Sequence, residues 1–141
     1  MSPLDNLSIL LVEDNPRDAE LTLRAFRKHN LANSVSVAHD GVEALDILFD
    51  PDGAERPRVI LLDLKLPKLD GLAVLRRLKS DDRTRSIPVV VVTSSNQDPD
   101  IKTAYELGAN SYVVKPVDFE SFMKTMSELG FYWLMVNQVS V

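Results

Sequence analysis

The chain has no cysteine among its 141 residues. That absence excludes a disulfide framework, a zinc–thiolate centre and thiol catalysis together, and it is compatible with a reducing compartment. Histidine is nearly absent too: His29 and His39 have no partner at metal-ligand spacing, so both are read as structural or solvated rather than as ligands or phosphohistidine donors. No apolar run approaches the roughly 20 residues needed to cross a bilayer, and the first residues lack the basic patch and apolar stretch of a signal peptide. A cytoplasmic protein is expected. Basic residues are outnumbered, 16 against 21 acidic, for a net charge of -5. General attraction to nucleic acid or anionic membrane is therefore not expected, and protein partners are.

What is present describes one packed domain over residues 1–141, with 45% hydrophobic and 26% charged residues. Ile9 to Val12, Val59 to Leu62 and Val89 to Val92 are apolar without alternation, as strands covered on both faces are. Val35 to Ala38 and Tyr112 to Val114 read as weaker, peripheral strands. Gly71, Val74, Leu75 and Leu78 follow helical spacing, as do Phe119, Phe122, Met123 and Met126. Asn15 before Pro16, and Asp118, are helix N-caps. Strand and helix alternate five times, which with right-handed crossovers predicts an α/β fold with a parallel sheet and helices on both faces. The turn-rich stretch from Pro51 to Pro57 connects parts of that one sheet.

Ligand sites in such sheets lie beyond the carboxyl ends of the strands. There the sequence places Glu13 and Asp14 after the first strand, Asp63 after the third, Thr93 and Ser94 after the fourth, and Lys115 and Pro116 after the fifth. Clustered carboxylates repel, at about 4 kcal/mol per pair for a 4 Å separation and an effective dielectric of 20. A hard divalent cation, Mg²⁺, and the Lys115 ammonium would offset that charge. Together they would hold a phosphoryl group, with Asp63 as nucleophile and Thr93 and Lys115 stabilising the phosphoryl oxygens.

These residues, with the loop from Asp63 through Pro67 to Gly71, resemble the receiver domain of two-component response regulators over about residues 8–129. The resemblance implies a doubly wound (βα)5 fold with flavodoxin-like strand order 2-1-3-4-5. It implies that Asp14, Asp63 and the main-chain carbonyl of Lys65 bind Mg²⁺, with Glu13 assisting through water. It makes Asp63 the phosphoacceptor, Thr93 and Tyr112 a switch pair, and Lys115–Pro116 a cis peptide, which an X–Pro bond accommodates at only about 0.5–1 kcal/mol. A sensor histidine kinase is the implied phosphoryl donor, and a downstream protein or histidine phosphotransfer protein the implied target. Stand-alone receivers paired with phytochrome-type kinases are similar in the Val12 to Pro16 start and in an aromatic tail near Trp133.

A haloacid dehalogenase-type phosphohydrolase would need a second Asp two residues after the nucleophile, where this chain has Lys65. A flavodoxin-like cofactor binder would need glycine- and hydroxyl-rich donors where Glu13 and Asp14 stand. The chain is therefore read as no enzyme beyond its own phosphorylation and dephosphorylation. Arg24, Arg27 and Lys28, like Arg76, Arg77 and Lys79, read as solvated helix faces. Residues 130–141 form an apolar extension in which Phe131, Tyr132, Trp133 and Leu134 either fold back on the domain or form an interface, most simply in a homodimer.

Overall fold

Short unbroken apolar runs form the centre of a five-stranded parallel sheet in a computed structural model that describes residues 8–30, 35–51 and 56–136. The strands are β1 (Ile9–Val12), β2 (Val35–Ala38), β3 (Val59–Leu62), β4 (Val89–Thr93) and β5 (Ser111–Val114). Their spatial order is β2-β1-β3-β4-β5, with Ile9 opposite both Val35 and Val59 and Val91 opposite Tyr112. The helices are α1 (Pro16–Arg27), α2 (Gly41–Leu48), α3 (Gly71–Lys79), α4 (Asp98–Glu106) and α5 (Phe119–Phe131). The expected strand order and doubly wound architecture are both present.

Alternate residues of each strand face opposite sides of a sheet. Ile9, Leu11, Val59, Leu61, Val90 and Val92 accordingly pack with Phe26 of α1 and Phe122 and Met126 of α5. Their neighbours Leu10, Val12, Ile60, Leu62, Val89 and Val91 pack on the other side with Val74, Leu75 and Leu78 of α3. Continuous apolarity thus fills two cores, and β1, β3 and β4 are buried throughout. The outer strands β2 and β5 are only partly buried, which is why their sequences are less apolar.

The helix starts are fixed locally. Asn15 accepts from the N–H groups of Arg17 and Asp18, Asp70 from Ala73 and Asp118 from Ser121. Gly71 is needed at the head of α3 because a Cβ there would overlap the Asp63 carbonyl oxygen and the Leu64 Cα. Its N–H donates to the Leu64 carbonyl at 2.8 Å, closing the loop after Asp63 onto itself.

Two expectations are corrected. The Lys115–Pro116 peptide bond is trans. The Lys115 N–H donates to the Thr93 carbonyl at 2.7 Å, and the side chain reaches the strand ends from this pairing with the ordinary, more stable isomer. Trp133 and Leu134 are core residues rather than interface residues: they are buried with Phe122 and Met126 because a π-helical turn, Tyr132–Val136, carries the apolar stripe of α5 onward. Phe131 and Tyr132 fall off that stripe and are 47% and 48% exposed. The end of the apolar extension, residues 137–141, and residues 52–55 of the Pro51 to Pro57 connection lie outside the described residues.

Candidate phosphoacceptor and metal site

Parallel pairing puts the carboxyl ends of β1, β3, β4 and β5 on one edge. The Asp63 N–H donates to the Val12 carbonyl, so the ends of β3 and β1 stay in register and Asp63 stands beside Glu13 and Asp14. One carboxylate oxygen from each of Glu13, Asp14 and Asp63 can be chosen so that all three lie within 4.8 Å of one another. Glu13 and Asp63 are buried, and Asp14 is exposed at the mouth.

Lys115 enters this group from β5. Its Nζ donates to Glu13 Oε1 at 2.6 Å, Asp63 Oδ2 at 2.9 Å and Asp18 Oδ2 at 3.0 Å. The Lys65 N–H donates to Asp63 Oδ1 at 3.2 Å, while the Lys65 side chain is exposed. Thr93, at the end of β4, is fully buried, and its hydroxyl helps to stabilise the Asp63 carboxylate.

Burial works against a charge on Asp63, yet hydrogen bonds and attraction from Lys115, with help from Thr93 and the Lys65 N–H, hold its carboxyl below the ordinary aspartate range. Burial likewise lowers the Lys115 ammonium, but Glu13 and Asp63 more than reverse it and hold the amine protonated. Burial pushes the Glu13 carboxyl up to about 7 in spite of Lys115. One ammonium stands here among the carboxylates of Glu13, Asp14, Asp18 and Asp63. Three hard oxygen donors with residual negative charge fit a divalent cation of the magnesium class.

Tyr112, the other expected switch residue, is partly buried, and its hydroxyl donates to the Ser95 carbonyl at 2.8 Å. Ser95 Oγ donates in turn to Asp100 Oδ2 in the first turn of α4. The structure thus brings Glu13, Asp14, Asp63, Thr93 and Lys115 into one site and sets Tyr112 against the loop that follows Thr93. Sequence reasoning missed Asp18 and Ser95. Asp18 had a signal, lying three residues after the Asn15 cap on the turn nearest Asp14; buried Ser95 had none beyond its closeness to Thr93. His29 and His39 lie outside the site: His29 stacks obliquely on Phe131, and His39 pairs with Glu43.

The model of the response regulator receiver domain matches residues 9–127. The probable methanogenesis regulatory protein FilR2 of Methanothrix harundinacea is 45% identical over 136 residues, covering 95% of this chain and 88% of its own length. Among solved structures, the bacteriophytochrome response regulator AtBRR is 53% identical, with 94% and 98% of the two chains covered and a TM-score of 0.69. The phosphorylated cyanobacterial phytochrome response regulator RcpA is 34% identical, with 96% and 99% covered and a TM-score of 0.90. The Mn²⁺-bound form of Rcp1, a response regulator of Synechocystis, is 32% identical over the same shares, with a TM-score of 0.89. Receiver domains bind a divalent metal at an acidic pocket and pair with sensor histidine kinases. The match across nearly the whole fold, together with an acidic cluster and lysine at the strand ends, establishes that this chain belongs to the response regulator receiver-domain family.

Proposed function

We propose that Asp63 accepts a phosphoryl group from a sensor histidine kinase in a Mg²⁺-dependent reaction, and that the modified site switches a protein-binding surface. The observation that carries this reading is the Lys115 ammonium 2.9 Å from a buried Asp63 oxygen, beside Glu13 and Asp14. An Asp63 oxygen, kept ionised by Lys115, attacks phosphorus while the P–N bond of the donor phosphohistidine breaks and its electron pair stays on the imidazole nitrogen. Lys115 and the Thr93 hydroxyl stabilise the phosphoryl oxygens from fixed strand ends. Glu13, Asp14, Asp63 and the Lys65 carbonyl would hold Mg²⁺, which when bound offsets negative charge on those oxygens.

Phosphorylation adds a charge of about -1.5 to -2. Thr93 and Lys115 are drawn toward it, and because the Ser95 carbonyl holds the Tyr112 hydroxyl, movement of the segment after Thr93 reaches Tyr112. Exposed Tyr105 of α4, Val114 of β5, Val117 of the following loop and Phe119 of α5 then form the surface that a downstream protein reads. Likeness to RcpA and AtBRR supports a phytochrome-type kinase as donor. Exposed Phe131 and Tyr132 supply a contact for a homodimer.

The test is incubation with acetyl phosphate and Mg²⁺ followed by intact-mass measurement. Wild type should gain one phosphoryl mass and Asp63→Asn none; an unmodified wild type, or equal gain by the variant, overturns the reading.

A further inference from the structure

Lys115 has a partner that the acidic cluster does not require. An ammonium has three N–H groups, and here all three point at carboxylates, those of Glu13, Asp63 and Asp18. Glu13 and Asp63 belong to the group that can gather around a cation; Asp18 does not. A divalent ion drawing on Glu13 and Asp63 competes with Lys115 for their oxygens and repels its ammonium. Asp18 is then the carboxylate left to the lysine.

The position of Asp18 suits that task. It sits in the first turn of α1, whose neighbouring Ala19, Leu21 and Thr22 are buried, so its carboxylate is carried by a rigid element. Asn15 already caps that turn by accepting from the Arg17 and Asp18 N–H groups, so the Asp18 carboxylate is not needed for capping. Lys115, by contrast, has a flexible four-carbon stem that costs entropy to hold in one place. We propose that Asp18 is a positioning residue for phosphoryl transfer: it keeps the Lys115 ammonium over Asp63 when the metal engages Glu13 and Asp63, with the N–H groups released by those two carboxylates free for phosphoryl oxygens. This inference rests on the phosphoacceptor reading given above.

Two measurements test it. With acetyl phosphate and saturating Mg²⁺, Asp18→Asn should lower the maximal phosphorylation rate about tenfold, the scale of one charge-assisted hydrogen bond, and leave the half-saturating donor concentration unchanged. Asp18→Glu, which keeps the charge, should restore the rate. In a Lys115→Met background Asp18→Asn should add no further loss, whereas a merely structural role would lower both backgrounds alike. Without any phosphoryl donor, the Lys115 ammonium NMR signal should survive added Mg²⁺ in wild type and be lost in Asp18→Asn through faster exchange with water. An unchanged rate in Asp18→Asn, an equal loss in both backgrounds, or a signal that survives Mg²⁺ in the variant overturns the proposal. Failure of wild type to gain phosphoryl mass would overturn the reading of Asp63 instead, and the ammonium signal would still decide what holds Lys115.

Discussion

Lys115 stands among three carboxylates with its side chain 9% exposed, against 4% for Glu13 and 8% for Asp63. Charges taken this far from water must be compensated, and removing one partner of a buried pair leaves the other charge stranded. Lys115→Ala is therefore expected to destabilise the metal-free protein by about 3 kcal/mol in urea unfolding. Added Mg²⁺ should return part of that loss, because a ligand that binds only the folded state stabilises it and here also replaces the missing positive charge. A variant equally stable without metal, or one that Mg²⁺ does not stabilise, would contradict this account of the cluster. The same view explains why Asp63 and Glu13 diverge: Lys115, Thr93 and the Lys65 N–H together keep Asp63 charged, while burial prevails at Glu13.

Among the elements, α3 does two jobs from its two ends. Its start depends on Gly71, which lets the backbone come close to Asp63 and Leu64. Its far end is tied down by Asp81, which accepts from Arg77 and Arg83, and both guanidinium groups lie over the Phe49 ring, at 4.2 and 4.7 Å from its centre. Arg83 first and then Arg77 hold the Asp81 carboxyl well below the ordinary value of 3.8. A carboxyl with a lower pKa in the folded state adds stability above its unfolded pKa and loses it as pH falls below that value toward the folded one. Asp81→Asn should therefore be less stable than wild type at neutral pH, and the gap should narrow below about pH 4. High salt should shrink the gap as well, since both arginines that pair with the partly buried Asp81 are exposed to solvent. A gap constant across the acid range would show that Asp81 acts other than through its charge.

At the scale of the whole molecule, α1 and α5 cover one side of the sheet, and the turn after α5 seals its end with Trp133 and Leu134. Trp133→Ala should cost about 3–5 kcal/mol in urea unfolding, as removal of a large core side chain does. Replacing half-exposed Phe131 and Tyr132 together by Ala should cost less than that, about 1–3 kcal/mol, through the ring contacts of Phe131 with His29 and of Tyr132 with Trp133. That double substitution is also the suitable test of the proposed dimer, because cutting the chain after Gly130 would remove core residues along with surface ones. Light scattering should show a dimer for wild type and a monomer for the double variant; a mass unaffected by it would remove these rings from the interface.

The strand and helix pattern was legible in the sequence because burial on two faces demands unbroken apolar runs, and helix caps need particular side chains at particular places. Glu13, Asp14, Asp63, Thr93 and Lys115 were legible for a related reason: in a parallel sheet the residue after each strand goes to the same edge. Tertiary structure decided what depends on direction and distance. Helical phase alone could have hinted that Trp133 continues the stripe of Phe122 and Met126, but only the packed sheet face shows that it is filled from within the same chain. Likewise, the Asn15 cap puts Asp18 on the turn nearest Asp14, but only the fold pairs it with a residue 97 positions away. That pairing arises because β1 and β5 enclose one site and the first turn of α1 faces it, and an ammonium in a buried space takes whichever carboxylates the fold brings within reach.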